Sequence, residues 1–510
     1  MPFIKPGGGM QWRAHVWPKF TGGLANFPKA DNECQVLNNF EFGIDGAARC
    51  RLGLLGPINA PGTMGPDQIN GLFYDGYSKI IVAKANTRSP ATFYCLSASG
   101  TQFVVVAYCH IDTVFGAGSA VFFEQINTAS NNSIYFISQG ATGLWSWDFS
   151  NPSAAAVTSF PFPTNSVVWH NGYMFVLAGN NLYFSNQSDP TTWPTNNVIP
   201  LSVTHGRPWA LKSLSDRLII FCSNGIQYLV NDPSTNPYVG LMVPDIPFEE
   251  PLSMAGDAGS VVFHSYANIV QLDGSIRVLT DKVTGITGDI YSGGNFKSGM
   301  ALSPEYLAVR AADSSGRTIL YMYDRLHFGT WSAWVYGTSS AFGNTPPQQA
   351  LVAYYSIAGF RGFIMPGTDG DLYLQPLSAF SGATANPLWT ASGNLDVPSA
   401  AITGQLTTRY TGIAEDRLIQ KQLRGFAIYG EGTNIAVTIN FVGTTGAVTT
   451  YTVPMNSTTL PLEQSLPIQG SNVPASGTFQ EAQMTITGRN LNIRDVIWYW
   501  RPLRYGLPML

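Results

Sequence analysis

The segment from Trp169 to Asn186 constrains the fold more than any other part of this chain. An apolar stretch, Tyr173 to Ala178, runs into Gly179-Asn180-Asn181, and a second apolar stretch follows from Leu182 to Phe184. Glycine and asparagine supply the positive φ angles that a tight β-hairpin turn requires. Both arms are apolar on successive residues, which predicts strands that are buried on both faces.

Turn signals of this kind recur and predict an all-β chain of repeated sheets. They lie at Asp75-Gly76, Ser97 to Gly100, Ile134 to Trp145, Gly179 to Asn181, Ser223 to Gly225, Tyr266 to Asn268, Asp324 to Gly329 and Thr368 to Gly370. From about residue 140 most are ~40–45 residues apart, a period typical of four-stranded β-propeller blades. Stacked β-sandwiches are the alternative architecture, and few, short helices are expected because sustained 3.6-residue periodicity is hard to find.

Changes in composition predict three consecutive parts. Residues 1–60, with their glycine clusters, are expected to form an extended N-terminal arm and docking segment. Residues 61–385 are expected to form the propeller-like domain, and residues 386–510 a C-terminal β-sandwich. Within the last part, 422–429, 434–442, 483–487 and 495–500 are predicted as separate strands because Gly and Asn stand between them.

Charged residues are scarce and unevenly placed. They make up 11% of the chain, against roughly 25% in typical soluble domains, which suggests a surface largely covered by other subunits. The net charge is −4, yet residues 61–385 contain 13 basic and 20 acidic side chains, which gives −7. The densest acidic patch comprises Asp245, Glu249, Glu250 and Asp257. No segment of the sequence is rich in the Lys and Arg residues that bind phosphate groups.

No catalytic motif for nucleotides, zinc or an activated serine is present, and we predict that the chain is not an enzyme and has no cofactor or metal site. Cys109-His110 is the nearest approach to a thiol–imidazole pair, but neighbours on a strand point to opposite faces. Asp369-Gly370-Asp371 is explained by turn chemistry better than by calcium. The five cysteines are expected to be buried, reduced thiols.

Aromatic residues provide candidate contacts. Trp145/Trp147, Trp331/Trp334 and Trp498/Trp500 could stack on carbohydrate, but aromatics at two-residue spacing more often fill a core or blade interface. Subunit interfaces are enriched in Trp, Tyr and Arg, so Trp498, Trp500 and Arg501 are candidate assembly contacts. Trp12, Trp17 and Phe20 are candidate anchors of the N-terminal arm.

The N-terminus has no apolar stretch of signal-peptide length, and no segment approaches the ~18 apolar residues of a membrane span. We therefore expect synthesis in a cytoplasm, no recognisable export signal and no membrane insertion.

Several local patterns together resemble one protein family, the tail nozzle or tail-hub proteins of short-tailed bacteriophages, which include the packaged-DNA-stabilisation proteins. The patterns, in chain order, are Gly22-Gly23-Leu24, Asn38-Asn39-Phe40, Gly46 to Leu54, Trp169 to Trp193, Leu214 to Leu229, and Tyr321 to Ser332. The resemblance spans most of residues 20–440, and the C-terminal part departs from it.

The resemblance implies a propeller-bearing virion subunit that forms a homo-oligomeric, usually hexameric, ring below the portal and adaptor proteins. Such a ring extends the channel for double-stranded DNA, retains the genome and contacts fibre or spike proteins; the family supplies no catalytic residues. A conduit should not bind the DNA it carries, and the acidic patch could line such a lumen. A glycan-binding propeller adhesin and, third, a propeller glycosidase are the alternatives.

Overall fold

The computed structural model describes most of the chain in separate ranges. These are 13–17, 23–25, 33–42, 45–54, 57–59, 64, 69–76, 78–84, 91–99, 102–111, 119–128, 131–138, 140–151, 153–157, 160, 162–230, 233–235, 237–248, 251–266, 268–283, 286, 299–312, 317–336, 351–357, 360–377, 395–396, 400–410, 421–443, 445–455, 457–466 and 478–502. Almost all regular structure in these ranges is β-strand, which confirms the predicted all-β class.

Two compact units share the chain. The propeller unit comprises Leu52–Tyr321 and Tyr336–Ala400, and the discontinuous unit comprises Met1–Arg51, Met322–Val335 and Ala401–Leu510. This division differs from the three consecutive parts predicted from composition. The division into two units follows strand pairing, which joins segments that are distant in sequence. It does not follow the order of the chain.

Five short strands precede the propeller. They are β1 (Arg13–Val16), β2 (Gly23–Leu24), β3 (Glu33–Asn38), β4 (Phe40–Phe42) and β5 (Ala48–Cys50). In the sheet of the discontinuous unit, β1 pairs with the last strand of the chain over Trp498 to Trp500, and β3 pairs with residues 405–408. The described part of the predicted arm is therefore integrated into a sheet.

Blades 1 to 3 are separate four-stranded antiparallel sheets. Blade 1 contains β6 (Ile69–Tyr74), β7 (Lys79–Lys84), β8 (Ala91–Ser99) and β9 (Gln102–Ile111). Blade 2 contains β10 (Val121–Thr128), β11 (Asn131–Ser138), β12 (Trp145–Trp147) and β13 (Ala155–Ala156). Blade 3 contains β14 (Ser166–His170), β15 (Tyr173–Ala178), β16 (Asn181–Phe184) and β17 (Val198–Pro200).

Blades 4 and 5 repeat the same order, and blade 6 has three strands. Blade 4 contains β18 (Pro208–Ser213), β19 (Leu218–Cys222), β20 (Gly225–Val230) and β21 (Tyr238–Pro244), with a 3₁₀ turn at Pro233–Thr235. Blade 5 contains β22 (Met254–Gly256), β23 (Val261–Ser265), β24 (Asn268–Leu272) and β25 (Ile276–Val278). Between blades 5 and 6 come β26 (Gly299–Leu302), β27 (Tyr306–Ala312), β28 (Thr318–Asp324) and β29 (Trp331–Val335). Blade 6 contains β30 (Ala353–Ile357), β31 (Phe360–Pro366) and β32 (Leu372–Pro376).

The blades form a closed ring, which confirms the predicted propeller. The first strands of blades 1 to 4, which are β6, β10, β14 and β18, contact each other in this order. The first strand of blade 5, β22, contacts β26, which lies between blades 5 and 6 and contacts β30 of blade 6, and β30 in turn contacts β6. Blades 4 and 5 pack through an apolar cluster that includes Phe221, Phe248 and Phe263. Burial of such apolar area is the main stabilising contribution to folding.

The ring closes where the residues that precede blade 1 contact blade 6. The backbone N–H of Ile58 donates to the carbonyl oxygen of Leu372 at 2.8 Å. The Asn59 side chain donates to Asp371 Oδ1 at 2.7 Å and accepts from the N–H of Leu372 at 2.8 Å. These bonds join residues more than 300 positions apart, so closure is a long-range event that resists opening of the ring.

With one exception, the predicted turns lie between two consecutive strands or at their ends, including the turn that joins β15 to β16. The exception is the turn predicted at Ser97 to Gly100, because Ser97 to Ser99 belong to β8 and Gly100 lies outside the described residues. All six residues of β15 are buried, as its apolar sequence predicted. Only one of the four residues of β16 is fully buried. The expectation of full burial is therefore wrong for the second arm.

The C-terminal segment contributes β33 (Leu395–Asp396), β34 (Ala400–Ala401), β35 (Thr403–Thr408), β36 (Lys421–Val442), β37 (Val448–Thr452), β38 (Leu462–Ser465), β39 (Thr478–Phe479) and β40 (Glu481–Pro502). β36 and β40 have 22 residues each and pair along their whole length, with register shifts near Gly425, Gly430, Thr433 and Ala436. The separate strands predicted here are therefore continuous. Glycines at 430 and 432 permit irregular backbone without ending the pairing.

One apolar core serves the whole discontinuous unit. It contains Phe426 and Ile428 from the first half of β36 together with Val437 and Ile439 from the second half, and it extends to Trp17 of the N-terminal segment. The two halves of the bent ribbon therefore share a single core. The predicted sandwich stays a prediction.

Candidate functional site

The predicted acidic patch is divided between two blades where it is described. Asp245 is exposed and follows β21, the outermost strand of blade 4, whereas Asp257 follows β22, the innermost strand of blade 5. Asp257 accepts backbone N–H bonds from Gly259 at 3.0 Å and Ser260 at 2.8 Å, as a turn-forming aspartate does. Glu249 and Glu250 lie outside the described residues.

Most of the predicted assembly contacts that are described belong to the core. Trp17, Trp498 and Trp500 are buried in the discontinuous unit, and the rings of Trp17 and Trp498 lie 6.2 Å apart. Their contribution is to folding, because side chains packed in this core present no surface to another subunit. Arg501 donates from Nε to Gln422 Oε1 at 2.8 Å. Trp12 and Phe20 lie outside the described residues.

The other candidate binding and catalytic residues named from the sequence have structural roles. Trp145, Trp147, Trp331 and Trp334 are also buried, so the core interpretation of the paired tryptophans is confirmed. Cys109 is buried and His110 is exposed, as expected for neighbours on a strand. Asp369 accepts from the hydroxyl of Tyr373 at 2.6 Å and from the N–H of Asp371 at 3.1 Å, which is turn chemistry.

Cysteine burial agrees with the sequence prediction for four of the five residues, and Cys50 is half-buried. Burial raises the pKa of Cys109 to about 12 and that of Cys222 to about 11. Thiols held in this protonated form are poor nucleophiles.

Polar residues gather where the first strands of blades 2 to 5 approach one another, and we name Glu124, His170, Lys212, Ser213 and Asp257 the inner-strand cluster. The carboxyl of Glu124 accepts a hydrogen bond from the backbone N–H of Trp169 and interacts electrostatically with Lys212. His170 Nδ1 lies 2.8 Å from Ser213 Oγ. The turns that follow β18 and β22 are joined by a bond from the Ser215 N–H to the Ala258 carbonyl at 2.8 Å.

Desolvation dominates the electrostatics of this cluster. It raises the pKa of Glu124 to about 7, against the opposing pull of the Lys212 charge. It also lowers the pKa of Lys212, although Glu124 and Asp257 favour the charged ammonium. Perturbed pKa values of this kind occur at functional sites and also in structural ion pairs.

Replacing Glu124 with Gln should flatten the dependence of stability on acidity. The folded state holds the Glu124 proton more tightly than the unfolded state, so wild-type stability should fall as pH rises from about 5 to about 8. We expect the fall to be on the order of 1–3 kcal/mol in wild type and smaller in Glu124→Gln. Urea denaturation at the two pH values measures it.

The exposed Asp281 supplies the control, because Asp281→Asn removes a carboxyl that lies outside the cluster. Equal pH dependence in wild type and Glu124→Gln would show that the carboxyl of Glu124 titrates as in the unfolded chain.

Exposed apolar side chains lie on the outermost strands of blades 1 and 4. We name Val104, Val106 and Tyr108 on β9 the blade 1 rim, and Tyr238 and Leu241 on β21 the blade 4 rim. Val106 is 54% exposed and Tyr108 51%, while Tyr238 is 62% and Leu241 47% exposed. Both strands carry a register irregularity, at Cys95/Leu96 opposite β9 and at Ile226/Gln227 opposite β21. Clustered apolar exposure of this kind marks candidate interaction surfaces.

Sequence reasoning missed both the cluster and the rims, although signals for them exist. Glu124 and Lys212 are isolated charges within apolar stretches, and such a charge in a buried strand needs a partner. The segment Gln102 to Ile111 has no Asp, Glu, Lys, Arg, Pro or Gly. Those are residues that proteins use to protect exposed edge strands from other chains.

Comparisons with known proteins give no family for this chain. No family model and no curated protein matches it. One similar solved structure is the extracellular domain of the hybrid two component system BT4673 from B. thetaiotaomicron, with 11% identity and a TM-score of 0.39, covering 64% of this chain and 39% of that chain. Another is the N-terminal domain of Nup159, with 13% identity and a TM-score of 0.38, covering 66% and 96%. A third is Hsv2 from Kluyvelomyces marxianus, with 8% identity and a TM-score of 0.34, covering 68% and 94%.

The chain thus spans about two fifths of the length of the first of these structures. TM-scores this low carry no argument, so the propeller rests on the sheets of this chain. Among the described residues, no helix has the length and apolar character needed to cross a membrane, and no group of three or more His, Cys, Asp or Glu side chains could hold a metal ion.

Proposed function

We propose that this chain is a structural subunit that assembles with copies of itself into the tail nozzle ring of a short-tailed bacteriophage. The observation that carries the proposal is the exposure of uncharged, apolar side chains on the rims of blades 1 and 4. A folded monomer gains nothing by holding Tyr108 and Tyr238 in water, whereas a subunit contact would bury them. The sequence resemblance to tail nozzle proteins indicates which kind of assembly the copies would form.

Within that proposal the ring extends the DNA channel below portal and adaptor proteins, retains the genome, and supports fibres or spikes. The acidic balance of residues 61–385 supports a channel role, since Lys and Arg at the lumen would hold DNA by displacing its counterions. Asp245 and Asp257 are the described candidates for a lumen-facing acidic surface. Their exposure is compatible with it.

A glycan-binding adhesin is the second candidate, and the inner-strand cluster is the observation that favours it. Convergent polar groups with shifted pKa values occur at binding sites as well as in structural ion pairs. The buried state of the paired tryptophans weighs against it, because stacking on sugar requires an exposed ring face.

Native mass spectrometry of the purified full chain, combined with a glycan array, separates these candidates. The nozzle proposal expects a particle near six times 55.2 kDa and no reproducible glycan signal. A monomer that binds a defined class of glycans would overturn it in favour of the adhesin. A monomer without glycan binding would remove the support for both.

A further inference from the structure

We propose that Asn171 is the site of a spontaneous covalent modification, deamidation to aspartate and isoaspartate, which the fold confines to one hairpin turn of blade 3. Three asparagines in this chain precede a glycine, namely Asn70, Asn171 and Asn224. Glycine has no side chain to hinder attack by its own backbone nitrogen, so all three have the sequence that the reaction favours. The structure leaves only Asn171 free to react.

Water is the only co-reactant of this modification. The backbone nitrogen of Gly172 loses its proton to solvent hydroxide and attacks Cγ of Asn171, which closes a succinimide ring. The bond from Cγ to Nδ2 breaks, and Nδ2 takes up a proton from water and leaves as ammonia. Water then opens the ring. Cleavage between Cγ and the ring nitrogen gives aspartate, and cleavage between the backbone carbonyl carbon and the ring nitrogen gives isoaspartate.

The turn that contains Asn171 leaves the attacking nitrogen available. Asn171 and Gly172 are the two residues between β14 and β15, and Asn171 is exposed. Both have positive φ angles, of 48° and 83°. The described residues form no backbone hydrogen bond that uses the N–H of Gly172, and a Cβ placed on Gly172 would meet nothing closer than 3.7 Å. The nitrogen can therefore lose its proton and approach the side chain without giving up a hydrogen bond of its own.

Burial protects Asn70. This residue is fully buried, and its Nδ2 donates to the carbonyl oxygen of Ser119 at 3.0 Å. A Cβ placed on Gly71 would lie 2.7 Å from Cε2 of Phe123, so the backbone has little room to rotate there. Ring closure at Asn70 would require blade 1 to open.

Backbone hydrogen bonds protect Asn224, although this residue is exposed. Its N–H donates to the carbonyl oxygen of His205 at 2.9 Å, and the N–H of Ser223 donates to that of Arg207 at 2.9 Å. Gly225, which would supply the attacking nitrogen, is held in the pairing of β19 with β20. This turn must open before the ring can form, so the rate is reduced to the fraction of molecules that are locally open.

Deamidation of Asn171 changes the charge beside the inner-strand cluster. His170, a member of that cluster, has its Nε2 3.1 Å from Nδ2 of Asn171. A carboxylate replaces the neutral amide, so one negative charge is added next to this imidazole. The isoaspartate product also lengthens the backbone of a two-residue turn, whose geometry fixes the register of the hairpin.

Peptide mapping by mass spectrometry tests the site in the purified full chain, incubated at mildly alkaline pH. In the folded protein, deamidation at Asn171 should be at least about tenfold faster than at Asn70 or Asn224. In concentrated urea the three should react at similar rates, because each is followed by glycine and the protection by the fold is lost.

Ammonia release from the folded chain gives an independent readout. Asn171→Gln should remove most of the early release, since glutamine would have to close a larger ring. Asn224→Gln is the matched control, because it changes an equally exposed asparagine in a hairpin turn, and it should leave the release unchanged. Circular dichroism on both variants establishes that the fold is retained.

Equal rates at the three asparagines in the folded protein, or a faster reaction at Asn70 or Asn224, would overturn the assignment. So would a folded chain in which Asn171 stays intact while all three react in urea, because the hairpin would then protect it. None of these results depends on the mass of the particle, which tests the nozzle proposal separately.

Discussion

Replacing Asn39 with Ala should unfold the discontinuous unit under conditions in which the wild-type chain is stable, at an expected cost of about 3–5 kcal/mol. Asn39 Oδ1 accepts from Arg51 Nε at 3.0 Å and from the backbone N–H of Val335 at 2.8 Å. Its Nδ2 donates to the carbonyl oxygen of Thr403 at 2.9 Å. One side chain thus ties together all three sequence segments of the unit.

The cost is large because Arg51 is fully buried. Removing the Asn39 side chain takes an acceptor away from a desolvated guanidinium, and an incompletely paired buried charge is among the most destabilising single changes. Alanine would also be strained at the Asn39 φ of 64°. Hydrogen exchange of β3 and β35 measures the loss.

Asn434→Ala is the matched control. Asn434 also has a positive φ, of 53°, but it is exposed. It isolates the backbone strain, which should cost about 1 kcal/mol. Equal losses for the two variants would show that the polar contacts of Asn39 contribute nothing beyond its backbone conformation.

Gly430→Ala should have the second large effect, destabilising the bent ribbon of β36 and β40 by about 3 kcal/mol or more. A Cβ placed on Gly430 would overlap the backbone carbonyl oxygen of Asn492 on the partner strand. The backbone of Asn492 can move away only if the hydrogen-bonded pairing of β36 with β40 is broken on both sides of the bend. Gly430 also has a φ of 153°, which L residues rarely adopt.

Gly446→Ala provides the comparison for this variant. Gly446 has a φ of 78°, and a Cβ there would meet nothing within 4 Å. It should lose only the conformational advantage of glycine, about 1 kcal/mol. Guanidinium denaturation of both variants gives the difference, and a Gly430→Ala loss no greater than that of Gly446→Ala would contradict the close approach of the two strands.

Local chemistry made the propeller predictable. Turn glycines such as Gly179 and Gly370 adopt positive φ angles, and the recurrence of such turn residues marks the blades before any contact is known. The apolar run of β15 likewise predicts burial from its own sequence. Hairpins are local structures, so the sequence around them contains most of the information that forms them.

The discontinuous unit was not predictable by the same route. Its pairings join β1 to β40 and β3 to β35, and no local pattern specifies a partner more than 350 residues away. Gly430 suggests a turn from sequence, whereas the structure uses it for a bend within one strand. Trp498 and Trp500 look like interface residues by type and position, yet the same apolar area is buried within the chain.

The candidate sites were harder to predict from the sequence than the discontinuous unit, because they depend on which strands become neighbours. Glu124 and Lys212 are 88 residues apart and interact only because blades 2 to 4 follow one another around the ring. The pairing of their charges is a consequence of topology and is not visible in either segment alone. The rims likewise require knowledge of which strand is outermost.

Cryo-electron microscopy of the purified, full-length particle tests the ring assembly most directly. The proposed function predicts class averages that show a closed ring with a central hole, in which every propeller contacts two neighbours through different surfaces. Isolated propellers, or pairs joined through identical surfaces, would contradict it.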